Sequence, residues 1–197
     1  MQLLLATENQ GKKKELLSIL GDTGFECVLP SELSDQSLTY PEETGSTFSE
    51  NAHIKADFIF QKFHKSTVAD DSGVSVVSLH NFPGIKSARW LTGSDSDRCK
   101  GLLNKLADSA DRSAFFTSVI CFIDQVTRQV HYFEGILQGS IAFEEKGTAG
   151  FGYDPIFFPS GQTQTLAELG ESYKNQFSHR AVALKKLTDF LKNSMVD

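Results

Sequence analysis

The sequence predicts an α/β fold, a mixed central sheet flanked by helices. Three observations carry this: apolar runs of strand length, amphipathic runs interleaved with them, and turn-rich segments punctuating both. A central stretch in which strand follows strand, Ala114 to Leu137, adds antiparallel pairing to the parallel pattern that alternation implies. With 197 residues, 40% of them hydrophobic, the chain can bury a real core as a single domain over 1–197, or as two closely joined lobes.

Gln2 to Ala6 reads as a buried strand and Lys12 to Leu20 as a helix, its apolar positions Leu16, Leu17, Ile19 and Leu20 stopped by Gly21. Thr7 to Gly11 is then a strand-to-helix turn. Glu26 to Leu29 makes a second strand, followed by a polar loop, Pro30 to Ser46, long enough to carry function. Thr47-Phe48-Ser49-Glu50 has the form of a capping box, and Phe48, Ala52, Ala56, Ile59, Phe60 and Phe63 keep helical spacing behind it. Thr67 to Ala69 reads as a short strand ending at Asp70-Asp71-Ser72-Gly73, with Val74 to Ser78 as another. Asp95 to Ala107 is predicted helical, Ala114 to Ile123 and Val130 to Leu137 as strands, and Ser140 to Phe143 as one more. Gly147 to Asp154 is glycine-rich loop; from Ser178, an N-cap residue, Ala181, Leu184, Leu187, Phe190 and Leu191 mark a terminal amphipathic helix.

Composition narrows the function classes. A net charge of −6 argues against a general nucleic-acid binder, which needs many cationic contacts to phosphate, though a small polyanion can still be met by local positive charge. Cys27, Cys99 and Cys121 are odd in number and too scattered for a zinc site or a disulfide framework, which fits a reducing cytoplasm. No segment approaches membrane-spanning length, and the opening apolar run lacks a basic leader, so neither export nor a membrane partner is expected. The 16 Phe residues, spread from Phe25 to Phe190, chiefly supply core volume.

Four places concentrate chemistry. Lys12-Lys13-Lys14 lies in the opening turn of a helix, where cations oppose the macrodipole; a phosphate on Thr7, Asn9 and the amides near Gly11 would compensate them, and a solvated basic face accounts for them equally well. Asp70-Asp71, echoed by Glu42-Glu43, offers oxygen ligands of the kind magnesium uses together with substrate phosphates. Successive strand side chains diverge, so one acid of each pair faces a site while its neighbour caps or is solvated, and plain turn punctuation is the commoner fate of such pairs. Gly150-Phe151-Gly152-Tyr153-Asp154-Pro155 permits close backbone approach and base stacking, against a tight turn with core-facing rings. Ser178-His179-Arg180 repeats the misplaced-cation pattern, with Lys174 just before it; donors here suit a purine carbonyl oxygen or a phosphate, against a solvated helix start with Arg180 folded onto surface acids.

Together these pieces resemble the inosine triphosphate pyrophosphatase family, which acts on deaminated purine nucleoside triphosphates, over nearly the whole chain. The resemblance rests on Leu5-Ala6-Thr7-Glu8-Asn9-Gln10-Gly11-Lys12, Glu42-Glu43-Thr44-Gly45, Glu50-Asn51-Ala52 with Lys55-Ala56, and Ala69-Asp70-Asp71-Ser72-Gly73. It continues through Phe82-Pro83-Gly84 with Ser87-Ala88-Arg89, Gly150 to Pro155, and Lys174 with Ser178-His179-Arg180. It implies an elongated fold of two lobes with an active-site cleft between them, a homodimer, and hydrolysis of ITP, dITP and XTP to monophosphate and pyrophosphate with Mg2+. By the same resemblance Thr7, Glu8, Asn9, Gln10, Gly11 and Lys12 hold the triphosphate, Glu42 and Asp71 the metal, and Asp71 is the catalytic proton acceptor. Ser72, Phe151, Gly152, Tyr153, Asp154, Lys174, His179 and Arg180 bind substrate. Glu8 departs from the family, which commonly has a small or amide residue there, as does Lys86, where an aromatic is common. Two other classes compete: a pyrophosphatase for modified pyrimidine nucleotides, which the Ser178-His179-Arg180 ending fits less well, and a non-catalytic nucleotide-binding regulatory module, which would not need paired acids.

Overall fold

The computed structural model describes residues 1–21, 23–34 and 38–194. The chain forms two compact units: Met1–Asp71 with Ser118–Gly135 and the chain from Arg180 onward, and Ser72–Thr117 with Ile136–His179.

In the first unit, strand β1 (Gln2–Leu5) lies between β2 (Glu26–Val28) and β3 (Thr67–Val76), parallel to both. The period-two alternation of strand side chains sorts its core into two layers. Leu3, Leu5, Val68, Ile120 and Phe122 face helices α1 (Gln10–Gly21) and, at the far end of the chain, His179–Asn193, which contribute Leu16, Leu20, Leu184, Leu187 and Leu191. Their neighbours Leu4, Ala6, Ala69, Cys121 and Ile123 point the other way, onto Ala52, Ala56, Ile59 and Phe60 of the helix Phe48–Phe63. Each fully buried Leu or Ile in these layers contributes about 1.5–3 kcal/mol, so the sheet is held from both faces.

That long helix has the predicted bounds, and it becomes α3 after a single turn, α2 (Pro30–Leu33), inside the segment expected to be loop. Residues 35–37 of that segment lie outside the described residues. Its cap is half of the expected box. Thr47 Oγ1 accepts from Glu50 N at 3.1 Å, but the Glu50 carboxylate accepts chiefly from Ser46 N and Ser46 Oγ.

In the second unit β4 (Phe82–Pro83) pairs antiparallel with β3, and helix α4 (Asp95–Lys105) buries Cys99 and Leu102 against Val74, Val76, Phe116, Ile156 and Phe157. Strands β5 (Ser113–Ile123), β6 (Val130–Ile141) and β7 (Phe157–Pro159) complete a seven-stranded sheet of order β2-β1-β3-β5-β6-β7 with β4 beside β3. The antiparallel β6–β7 pair makes the sheet mixed, as predicted.

Two strand breaks were expected where none exists. β3 runs unbroken through Asp70-Asp71-Ser72-Gly73, and of the expected separate strand Ser140 to Phe143 the first two residues, Ser140 and Ile141, are the end of β6. In both cases a glycine within the strand is a packing residue. A Cβ on Gly73 would lie 2.3 Å from the Gly84 carbonyl oxygen, and one on Gly139 2.1 Å from that of Phe158. Strand β7 and helix α5 (Leu166–Phe177) were not anticipated, although Thr165 and Glu168 form the reciprocal capping box that announces the helix. The terminal helix, α6 (His179–Asn193), starts directly after Ser178. Among the described residues no helix is long and apolar enough to cross a membrane.

Candidate active site

Alternation along β3 decides the fate of its two aspartates. Asp70 shares a face with Val68 and enters the layer of α1 and α6. Its Oδ2 accepts from Lys12 Nζ at 2.8 Å and Arg180 Nη2 at 3.2 Å, and its Oδ1 from Ser118 Oγ at 2.5 Å. Arg180 also donates to Glu15, the buried acid of α1. Burial alone would raise Asp70, yet Arg180 and Lys12 hold its carboxyl well below the usual range. Burial likewise pulls Arg180 down, and Asp70 and Glu15 reverse it, leaving the guanidinium more basic than usual. The Lys12 ammonium stays below its ordinary value because burial outweighs Asp70. The anion that compensates the misplaced cations Lys12 and Arg180 is therefore supplied by the chain itself.

Asp71 shares a face with Ala69 and meets α3. Its Oδ1 accepts from Lys55 Nζ at 2.9 Å, and Lys55 reaches Glu43 at 2.5 Å. Asp71 Oδ2 is buried and has no hydrogen-bond partner among the described residues. Burial raises the Asp71 carboxyl above its ordinary value in spite of Lys55. Burial lowers Lys55, but Asp71 and Glu43 more than offset it. Lys12 is perturbed by Asp70, Lys55 and Asp71, and Asp71 by both ammoniums, so Lys12 and the two aspartates of β3 come together.

The loop before α1 is built by Asn9. Its Oδ1 accepts from Lys12 N at 3.0 Å, capping the helix, while its own N–H donates to Thr7 Oγ1 at 3.2 Å. Glu8, Asn9 and Gln10 are exposed; Thr7, Gly11 and Lys12 are half-buried. Glu42 is exposed, and the acid that reaches Lys55 is its neighbour Glu43. Asn51 Oδ1 accepts from Gly45 N at 2.8 Å and so pins this acidic loop to α3.

In the second unit the predicted aromatic loop is tied to α5. Asp154 Oδ2 accepts from Lys174 Nζ at 2.5 Å and from Phe151 N at 2.9 Å, and Lys174 Nζ lies 4.6 Å from the centre of the Phe151 ring. Tyr153 is buried; its hydroxyl donates to the Ser87 carbonyl at 2.7 Å and accepts from Trp90 Nε1 at 2.6 Å. Burial pushes that phenol up to about 12, so it remains a neutral donor. His179 is buried and stacks on Phe116 with centroids 4.6 Å apart. Ser72 is half-buried on β3.

The sequence offers Glu43 only as one of the Glu42-Glu43 pair and gives Lys55, Glu15 and Asn51 no role in the site. One signal was available: Asn51 and Lys55, four apart, put two polar groups beside the apolar stripe of α3, and Asn51 is fully buried.

The Ham1 family model matches residues 3–190. The chain belongs to the Ham1 family. Relatives of this Ham1 chain named dITP/XTP pyrophosphatase include one from Haemophilus influenzae, 44% identical over 94% of this chain and 96% of the relative. Another, from Bacillus licheniformis, is 43% identical over 96% and 97%. Among solved structures, a Ham1 protein of Staphylococcus aureus is similar at a TM-score of 0.85 and 38% identity, covering 98% of this chain and 100% of that one. A HAM1 protein from Coxiella burnetii gives 0.86 at 36% identity, covering 98% and 99%. The family resemblance read from the motifs is borne out, and Ham1 membership covers both the Asp71 cluster and the aromatic loop.

Proposed function

We propose that this chain hydrolyses deaminated purine nucleoside triphosphates, ITP, dITP and XTP, to the monophosphate and pyrophosphate, keeping them out of DNA and RNA. The relatives' shared name supports the reaction. The observation that carries it is Asp71, a buried carboxylate with one oxygen on Lys55 and the other without a partner.

Among the described residues no group of three or more His, Cys, Asp or Glu is arranged to hold a metal. A cation here would take one or two carboxylates, Asp71 and Glu42, and complete its shell from phosphate and water, which is the habit of magnesium. The unpartnered Asp71 Oδ2 and the all-oxygen donor set fit that ion. When bound, magnesium would neutralise phosphate charge.

The chain's own residues supply the rest. Thr7 to Lys12, with Lys55, hold the triphosphate and offset its charge. Water attacks the α-phosphorus in line, the bond from that phosphorus to the bridging oxygen breaks, and pyrophosphate leaves. Asp71, the proton acceptor that the family resemblance implies, takes the proton that the water gives up. Phe151 stacks on the base, and Lys174 and His179 are the donors for its 6-keto oxygen, while Arg180 is engaged by Asp70 and Glu15. Adenine presents an amino donor at that position and is disfavoured. A cytoplasmic homodimer is the expected form.

Incubating the pure protein with Mg2+ and ITP, dITP, XTP, ATP, dUTP and a methylated pyrimidine triphosphate tests this. Pyrophosphate release from the deaminated purines, abolished by EDTA and restored by Mg2+, is expected. Orthophosphate as the product, or equal kcat/KM for ATP and ITP, overturns it.

A further inference from the structure

Gly152 has no side chain to anchor it, and both of its backbone polar groups are nevertheless engaged by α4. Its N–H donates to Asp95 Oδ2 at 2.6 Å, and its carbonyl accepts from Cys99 Sγ at 3.3 Å. Asp95 and Cys99 stand four residues apart, on one face of the helix. Arg98 fixes the carboxylate, donating to Asp95 Oδ1 at 2.5 Å and to the Gly93 carbonyl at 2.8 Å.

Helix capping does not require Asp95. Ser94 Oγ accepts from Asp97 N, and the Asp97 carboxylate accepts from Ser94 N, so the reciprocal box is closed without it. The second oxygen of Asp95 is therefore committed to the loop.

That loop carries Phe151, which has φ +81 at Gly150 before it and φ +63 at Gly152 after it. Downstream it is held by Tyr153 on Trp90 and Ser87; upstream it runs exposed from Thr148 to Gly150. The Asp95 bond to Gly152 thus acts with the Asp154 bond to Phe151 N, one on each side of the half-buried Phe151 ring, to set its pose.

We propose that Asp95, seconded by Cys99, is a positioning residue for base recognition: it holds Phe151 in register with Lys174, so that ring and ammonium meet a purine base together. This rests on reading Gly150 to Asp154 as the base-binding element. The phosphates are handled elsewhere, so the effect of losing Asp95 falls on base affinity and leaves the chemical step alone.

Trp90, the single tryptophan, donates to Tyr153 at the end of this loop, so its emission reports on the loop directly. Inosine monophosphate and, separately, inorganic tripolyphosphate are titrated into wild type, Asp95→Ala and Asp95→Asn while Trp90 emission and ITP turnover are followed. Loss of one charge-assisted hydrogen bond predicts that Asp95→Ala weakens inosine monophosphate binding and raises KM for ITP by roughly tenfold, with kcat within about twofold. Tripolyphosphate, which has no base, inhibits Asp95→Ala as it inhibits wild type. Asp95→Asn keeps an oxygen for Gly152 N–H and recovers most of the affinity. The proposal is overturned if Asp95→Ala matches wild type in KM and monophosphate affinity, if it loses kcat and tripolyphosphate inhibition as well, or if Asp95→Asn is as impaired as Asp95→Ala. A wild type that neither binds inosine monophosphate nor hydrolyses ITP sinks the base-binding reading itself; a wild type that does both isolates the test to Asp95.

Discussion

Asp70 and Asp71 are adjacent, chemically identical and both buried, yet they live in opposite electrostatic worlds. Asp70 has Lys12, Arg180 and Ser118 on its two oxygens, and its charge is satisfied within the fold. Asp71 has Lys55 on one oxygen and nothing on the other. One carboxylate is spent on holding α1 and α6 to β3; the second is left under-satisfied, which costs stability and leaves it available for chemistry. The charge balance of the surroundings, and not residue type, separates the acid satisfied within the fold from the one proposed to do chemistry.

The strongest way to break that comparison is Asp71→Asn. Turnover is expected to fall by a factor of about 10³, within the range for a positioned acid or base, while the urea midpoint stays level or rises. Near-normal pyrophosphate release, or a loss of stability as large as that of the Asp70 variant, would collapse the distinction.

Asp70→Asn should do the reverse. It leaves the buried Arg180 and the half-buried Lys12 each short of a partner and is expected to cost about 3–5 kcal/mol by urea unfolding in EDTA. The pH dependence sharpens this. Because the folded Asp70 carboxyl titrates well below its unfolded value of 3.8, its contribution is complete above that pH and is lost as pH falls toward the folded value. The stability gap between wild type and Asp70→Asn should therefore be flat from neutrality to about pH 4 and narrow below it. A gap that widens on acidification would have the wrong sign.

Glu43→Gln is the smallest change. Its side chain is 26% exposed and Lys55 keeps Asp71, so a loss under about 1 kcal/mol is expected by the same unfolding measurement. A loss comparable to that of Asp70→Asn would mean that the Lys55 cluster is structural after all.

Much of this was legible beforehand. The α3 stripe, the terminal helix and the mixed sheet follow from periodicity, and the ordered motifs identified the family. The failures were local as well. Asp-Asp-Ser-Gly is composed like a turn, and the sequence cannot reveal that Gly84 and Ser87 pack against Gly73. Helix α5 was missed despite its capping box because Gly170, at φ 75 and ψ −172, interrupts its pattern.

By itself the sequence determined the α/β class, the helix Phe48–Phe63, the divergence of neighbouring strand side chains and the family. Tertiary structure alone decided which aspartate meets which cations. Arg180 lies 110 residues from Asp70 and 165 from Glu15, so no local spacing encodes their meeting. The physical reason is that hydrophobic periodicity is a property of neighbours along the chain, whereas a buried charge is balanced only by whatever the packed layers bring within a few ångströms of it.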